Sequence, residues 1–264
     1  MRDDPFFKDT PRTTTDMNGE SIEFPILYYD LRMLGCTFSA KTSKLKKLLP
    51  HPNFQPLELW PGTGLLIISA FEYLDTSIGP YNEIAISIPV KYPPEFAIPG
   101  ISIFNMMRKN HFSVYIHHLP VTTEIARTAG IYFYNYPKFL AEITYQDQDQ
   151  NLVVTLKEND DLILKLNAQK LPVNSTVELE IHTYSIKENV VMHALVDGKA
   201  PRYGMKMMGG KAELELGDHP IGRELAALNL SKNVRGSQYT EGMMTKLYAP
   251  DKRWNVDRSE MISG

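Results

Sequence analysis

The chain has 264 residues, of which 43% are hydrophobic and 22% charged, and its formal net charge is −3 at pH 7. This composition is typical of a globular protein and excludes an intrinsically disordered chain. The near balance of charge excludes the strong positive field that attracts nucleic acid or anionic membranes, so we expect neither partner. No apolar run approaches the roughly 18 residues of a membrane span, and a single cysteine excludes an internal disulfide. We expect a cytoplasmic protein.

The N-terminal residues contain two prolines and three consecutive threonines without hydrophobic periodicity, a pattern typical of a mobile terminus. We therefore predict a flexible arm over residues 1–20 and a single domain over residues 21–264. Within the domain, short apolar runs rich in Ile, Val, Tyr and Phe follow one another between prolines and glycines. Several runs, such as residues 152–156 and 176–181, show the period-two pattern of antiparallel strands with one face in a core.

Helical signals are few. We predict short helices over residues 43–49, 122–128 and 219–228, the last with Asp218 as its N-cap. Because strands and helices do not alternate regularly, a doubly wound sheet is excluded. The sequence predicts a mainly β, β-rich α+β domain, either a barrel or a sandwich, with a few short helices.

Lys138 follows an aromatic run, residues 131–137, that we predict to be a strand. On a strand, the lysine would share a face with Tyr132, Tyr134 and Tyr136. Burial among aromatic rings disfavours an ammonium, and a neutral amine is a nucleophile towards carbonyl compounds. Lys138 is therefore a candidate catalytic residue. The alternative is a lysine at the end of a strand whose ammonium reaches solvent.

Glu83 lies in a strand-like run that carries three isoleucines on one face. The other face carries Glu83 with two small residues, Ala85 and Ser87. Since a packed face would carry bulk, small side chains beside a carboxylate indicate a face that lines a cavity. Glu83 is the second candidate catalytic residue. The alternative is a partly exposed carboxylate without a catalytic role.

His117 and His118 are adjacent in a strand-like segment. Adjacent side chains on a strand point to opposite faces, so we expect that these imidazoles do not share a metal ion. The chain also lacks histidine pairs at the spacings His-x-His or His-x-x-x-His. We therefore predict no metal site.

Four segments taken together resemble the acetoacetate decarboxylase family. The sequence Tyr-Pro-Lys at residues 136–138 is similar to the motif around the family's Schiff-base lysine. The sequence Gly-Pro-Tyr-Asn-Glu at residues 79–83 is similar to the segment that bears the family's active-site glutamate. Residues 45–50 and 211–230 add support, and the resemblance spans roughly residues 20–250.

The resemblance implies an antiparallel, barrel-like sheet that encloses a pocket and assembles into a homo-oligomer. It also implies a lyase that needs no cofactor and acts on acetoacetate or a related small β-keto acid. As in the family's known mechanism, Lys138 would form an iminium with the ketone, and the iminium would accept the electron pair released as CO₂ departs. Glu83 would position the substrate or carry protons during imine formation.

Three positions depart from the family's prototype. Phe139 stands where the prototype has a second lysine, and the prototype's active-site arginine and a second acidic residue fall on Leu31 and Ser69. Arg32 is adjacent to the arginine position, but on a strand it would face the other way. The residues that handle a substrate carboxylate are thus the least well matched.

Three functions stay open at this point. The first is decarboxylation of a small β-keto acid through a lysine Schiff base. The second is the same lysine chemistry without loss of CO₂, in an aldolase or dehydratase that acts on another keto acid. The loss of the prototype's arginine and second acidic residue favours this second function. The third is a non-catalytic β-barrel that binds a small carbonyl ligand without a covalent adduct.

Overall fold

The computed structural model describes residues 2–17, 19–94, 97–250 and 252–256. The strands are β1 (Thr13–Met17), β2 (Glu20–Phe24), β3 (Ile26–Lys41), β4 (Gln55–Pro56), β5 (Glu58–Trp60), β6 (Thr63–Thr76), β7 (Tyr81–Lys91), β8 (His111–His118), β9 (Glu142–Gln148), β10 (Asn151–Glu158), β11 (Asp161–Gln169), β12 (Ser175–Lys187), β13 (Val190–Met207), β14 (Ala212–Leu216), β15 (Gly236–Leu247) and β16 (Lys252–Asn255). The helices are α1 (Thr42–Leu45), α2 (Ile101–Lys109), α3 (Glu124–Tyr134) and α4 (Pro220–Ala227). None of the helices in these ranges is long and apolar enough to cross a membrane.

Seven strands close into a barrel. Their order is β7-β8-β12-β13-β15-β3-β6, and β6 pairs back with β7. The mainly β, barrel-like architecture expected from the sequence is confirmed. One pair departs from an antiparallel sheet, because β8 and β12 run parallel. A parallel pair needs a long crossover, which α3 and the strands β9 to β11 provide here.

Alternation along the barrel strands produces two apolar layers. In β3, Leu31 and Met33 face an inner core inside the barrel. Leu34, Cys36 and Phe38 face an outer core, which the second sheet (β14-β11-β10-β9) and helix α4 cover. Burial raises the pKa of the Cys36 thiol to about 12, so this cysteine is a protonated core residue.

The segment predicted to be a flexible arm contains a 3-10 helix, Pro5–Phe7, and strand β1, which forms an antiparallel hairpin with β2. Phe7 packs beside Leu27 and Tyr29. The Arg2 guanidinium donates to Asp75 at 2.7 Å. The flexibility of the arm stays a prediction.

Helix α3 shows that the strand predicted over residues 131–137 is wrong. The buried residues Ala126, Ala129, Gly130 and Tyr134 recur at helical spacing, and they carry the helix through the aromatic run. The helix ends at Asn135, which adopts a left-handed conformation (φ 52°). Tyr132 is therefore exposed on the helix and does not accompany Lys138.

The other helices follow the sequence predictions in part. Helix α4 lies where it was expected, but its N-cap is His219, whose Nδ1 accepts from the Ile221 amide at 3.2 Å, and not Asp218. Helix α1 is a single turn, and α2 was not predicted. Ile103 is the buried residue of α2, and Met106 and Met107 pack in the same cluster at the helical spacing i, i+3 and i+4, so the sequence did contain a signal for this helix.

Gly217 lies where the chain passes close to the backbone of β11. A Cβ at this position would overlap the carbonyl oxygen of Leu162. Because backbone cannot yield as a side chain does, we expect Gly217→Ala to lower the free energy of unfolding by about 1–3 kcal/mol. Gly236→Ala is the matched control, since the nearest heavy atom to its Cβ would lie 3.6 Å away. Urea unfolding of both variants tests this, and equal midpoints would contradict it.

Candidate active site

Lys138 lies in an extended segment that leaves α3. The left-handed residue Asn135 turns the chain, and the Tyr136 amide donates to the carbonyl oxygen of Gly130 at 3.1 Å. This turn folds the segment that contains Lys138 back along helix α3. The aliphatic part of the lysine then lies over Gly130, with Lys138 Cε 2.5 Å from the position of the Cβ that glycine lacks.

Backbone contacts fix this segment relative to β7. The Leu119 amide donates to the Pro137 carbonyl at 3.2 Å, and the Val121 amide donates to the Phe139 carbonyl at 3.0 Å. Val121 also forms an antiparallel bridge with Glu83. One stretch of chain thus lies between the two candidate residues and sets their separation.

The two candidate residues meet. Lys138 Nζ donates to Glu83 Oε2 at 2.7 Å, and the Tyr73 hydroxyl donates to Glu83 Oε1 at 3.2 Å. The side chains of Lys138 and Glu83 are only 7% and 9% exposed. A buried cation and carboxylate in direct contact form a pair between which a proton can pass with little displacement of atoms.

Tyrosines surround this pair. Lys138 Nζ lies 5.7 Å from the centroid of the Tyr81 ring, and the hydroxyls of Tyr81 and Tyr28 are 3.1 Å apart. Burial, together with the negative charge of Glu83, raises the pKa of the Tyr73 and Tyr28 hydroxyls well above the ordinary value. Tyr136 also borders the cavity. The phenols of Tyr28, Tyr73 and Tyr136 stay protonated, and since these residues line the cavity they can donate hydrogen bonds to a substrate.

Sequence reasoning did not assign Tyr28, Tyr73 and Tyr81 to the site. A partial signal was present, since Tyr81 is two residues before Glu83 and therefore shares its face of β7. Tyr73 lies opposite Tyr81 on the neighbouring strand. The position of Tyr73 in the site depends on how β6 and β7 pair in the sheet, and a local sequence pattern does not specify this pairing.

The pair opens into a cavity of about 180 Å³ inside the barrel. Glu83, Ala85 and Ser87 all line it, as the pattern of β7 predicted. Apart from Lys138 and Glu83, the described lining residues carry no charge, and polar atoms come from the tyrosines and from Ser69, Ser87, Thr183, Gln238 and Thr245. The cavity is therefore mainly apolar with hydrogen-bonding groups at a few points.

The three departures from the family pattern differ in position. Leu31 and Ser69 line the cavity, so the side chains that replace the prototype's arginine and acid face the site. Phe139 packs against the outer core. Arg32 faces away from the cavity, as predicted, and binds Glu72 at 2.7 Å outside the barrel.

His117 and His118 point to the same side of β8, so the prediction that they face opposite sides is wrong. The reason is a shift in strand register, because Ile86 pairs with His118 while Ser87 pairs with Ile116. His117 is the extra residue of this β-bulge. The two imidazoles lie outside the barrel, with ring centroids 4.2 Å apart.

Comparison with known proteins agrees with this fold. Residues 9–253 match the family model described as acetoacetate decarboxylase (ADC). The chain belongs to the acetoacetate decarboxylase family. Among curated proteins, none matches this member of the family by sequence.

Solved structures of acetoacetate decarboxylases share the fold. One is 18% identical with a TM-score of 0.60, and the match covers 90% of this chain and 89% of that one. The acetoacetate decarboxylase from Legionella pneumophila is 16% identical with a TM-score of 0.58, covering 90% and 87%. The enduracididine biosynthesis enzyme MppR, complexed with the condensation product of pyruvate and imidazole 4-carboxaldehyde, is 11% identical with a TM-score of 0.51, covering 94% and 98%.

Proposed function

We propose that this family member is a lyase whose Lys138 forms a Schiff base with a small keto acid and whose first candidate reaction is decarboxylation of acetoacetate or a related β-keto acid. One observation carries the proposal: a buried lysine amine is 2.7 Å from a buried carboxylate at the wall of a mainly apolar cavity. No cofactor is needed, because the iminium that the amine forms with the substrate is the electron sink.

The first step needs a neutral amine. Glu83 accepts a proton from Lys138 Nζ, along the existing hydrogen bond, and the freed lone pair attacks the carbonyl carbon of the substrate. A proton moves from the nitrogen of the addition product to its oxygen, which gives a carbinolamine. Glu83 then returns the first proton to the carbinolamine hydroxyl, which departs as water and leaves an iminium. Tyr73 holds the glutamate in place during both transfers through its hydrogen bond to Oε1.

The second step uses the positive iminium as an electron sink. The bond between the α-carbon and the carboxylate breaks, CO₂ departs, and the electron pair forms the carbon–carbon double bond of an enamine while the iminium nitrogen becomes neutral. The apolar wall favours this step, since it destabilises the carboxylate more than the dispersed charge of the transition state. A proton then adds to the enamine carbon, and water releases the ketone from Lys138.

A second candidate is the same Schiff-base chemistry without loss of CO₂, as in an aldolase or dehydratase. The replacement of the prototype's arginine and acid by Leu31 and Ser69 favours it, because Lys138 is the one cation among the described lining residues. MppR, a relative with the same fold, holds a condensation product of a keto acid and an aldehyde. Steady-state CO₂ release from acetoacetate distinguishes this candidate from the decarboxylase. A barrel that only binds a carbonyl ligand would form no covalent adduct with either substrate class.

Glu83→Gln tests the proton transfer. The amide keeps the shape of the side chain but cannot accept the lysine proton, so we expect kcat/KM to fall by about 10²–10⁴-fold, with slower imine formation in single-turnover measurements. Glu72→Gln is the matched control, because Glu72 binds Arg32 outside the barrel. If Glu83→Gln forms the imine as fast as the unmodified enzyme, Glu83 is not the proton carrier.

We also propose that the protein acts in the cytoplasm as a homo-oligomer. Exposed apolar side chains on α2 and α3 support self-association, among them Ile101, Phe104 and Tyr132. The mass of the particle in solution, measured by light scattering, tests the assembly.

A further inference from the structure

Three polar side chains meet outside the barrel, away from the cavity. Nε2 of His117 and Nε2 of His118 each lie 2.8 Å from Oε1 of Glu224. The side chains of His117, His118 and Glu224 are 11%, 20% and 35% exposed. The three groups are therefore partly buried, with the carboxylate on the solvent side.

The fold builds this cluster from two distant segments. The β-bulge at the end of β8 turns both imidazoles to one side. Helix α4, which packs on the outer core through Leu225, brings Glu224 to them. The two imidazoles reach the same carboxylate only because of the bulge. The sequence does not reveal the bulge, so it predicted no metal site here.

We propose that His117, His118 and Glu224 bind a divalent transition-metal ion, with Zn²⁺ as the fitting example. Two imidazoles and one carboxylate form a recognised ligand set for zinc, with water at the open position. With metal–ligand distances of about 2.0–2.2 Å, tetrahedral geometry separates ligand atoms by about 3.3 Å. The present contacts of 2.8 Å need to open by about 0.5 Å to admit the ion.

The proton balance of binding is simple. In the metal-free cluster each imidazole donates its Nε2 hydrogen to the Glu224 carboxylate. On binding, each neutral imidazole carries its hydrogen on Nδ1 and offers the Nε2 lone pair to the ion. No oxidant or reductant takes part.

Among the described residues, one other group of three donors could hold an ion, formed by His111, Glu180 and His182. His111 and Glu180 are more exposed, at 47% and 44%, and Glu180 and His182 both belong to β12. An ion there would be more hydrated, because its ligands are more exposed. This second group is the internal control for the proposed site.

The proposed ion would have a structural role. His118 directly precedes Leu119, whose amide holds the Pro137 carbonyl beside Lys138. An ion that ties α4 to the end of β8 would thus stabilise the stretch that sets the separation of Lys138 and Glu83. None of the three ligands lines the cavity, so we assign the ion no step in the reaction.

Titration of the full, chelator-treated chain with Zn²⁺ in a calorimeter tests the proposal without reference to activity. We expect one high-affinity ion that Glu224→Gln and His118→Ala each weaken by at least about 100-fold and that His182→Ala leaves in place. Zn²⁺ should also raise the Tm of the unmodified chain more than that of Glu224→Gln. The absence of binding, or binding that only His182→Ala removes, would overturn the proposal. If His118→Ala does not fold, Glu224→Gln decides alone.

Discussion

Lys138→Met is expected to abolish turnover, with kcat lower by at least about 10³-fold. Methionine has a similar length and fits the apolar surroundings, but it has no amine to attack a carbonyl. Glu83 loses its cation but keeps the hydrogen bond that the Tyr73 hydroxyl donates to it. We therefore expect the variant to fold. Steady-state turnover together with a thermal melt measures both effects.

Lys170→Met is the matched control for this substitution. Lys170 binds Asp147 at 3.1 Å on the outside of the protein and does not line the cavity. It should keep full activity, which would show that loss of a lysine elsewhere has no effect. A folded Lys138→Met variant that still turns over substrate would refute the assignment of the nucleophile.

Gly130→Ala is expected to lower kcat/KM by about 10²-fold while the fold remains intact. The added methyl would occupy the space of the Lys138 side chain, whose Cε lies 2.5 Å from that position. The flexible Lys138 side chain must therefore move away from residue 130, and Nζ then loses its hydrogen bond to Glu83. A displacement of about 1 Å at a reacting group can cost this much.

The stability of Gly130→Ala separates this effect from unfolding. Alanine favours a helix over glycine by about 1 kcal/mol, so α3 itself gains stability. Thr128→Ala is the control. Thr128 lies in the same helix and its hydroxyl donates to the exposed Glu124, so this substitution changes the helix without contacting Lys138. Unchanged kcat/KM in a stable Gly130→Ala variant would mean that the position of Lys138 over the glycine does not matter.

The sequence predicted that the Glu83 face of β7 lines a cavity, because the signal for it is local. Glu83 shares a strand face with Ala85 and Ser87, and this period-two pattern alone indicated a cavity wall. The orientation of Arg32 away from the site followed from the same rule and is confirmed. The structure places Lys138 beside Glu83, although their catalytic roles stay a prediction.

Other features could not be read from local patterns. Aromatic residues at every second position suggested a strand after Gly130, yet the spacing of Ala126, Ala129 and Tyr134 extends the helix. The contact between Tyr73 and Glu83 depends on the closure of β6 against β7. Strand pairing of this kind is decided by packing of the whole barrel.

The histidine pair shows the limit of the alternation rule. The rule holds for a regular strand, and a single extra residue in the ladder reverses its result for every side chain beyond it. No residue near His117 marks the bulge in the sequence.

Borohydride reduction in the presence of acetoacetate or pyruvate, followed by peptide mass spectrometry, tests the central claim most directly. Borohydride reduces an iminium to a stable amine, which leaves a substrate-derived mass on the lysine. We predict that this mass maps to the peptide containing Lys138 and is missing from Lys138→Met. The absence of an adduct with any of several small keto acids, or an adduct confined to other lysines, would contradict Schiff-base chemistry at Lys138.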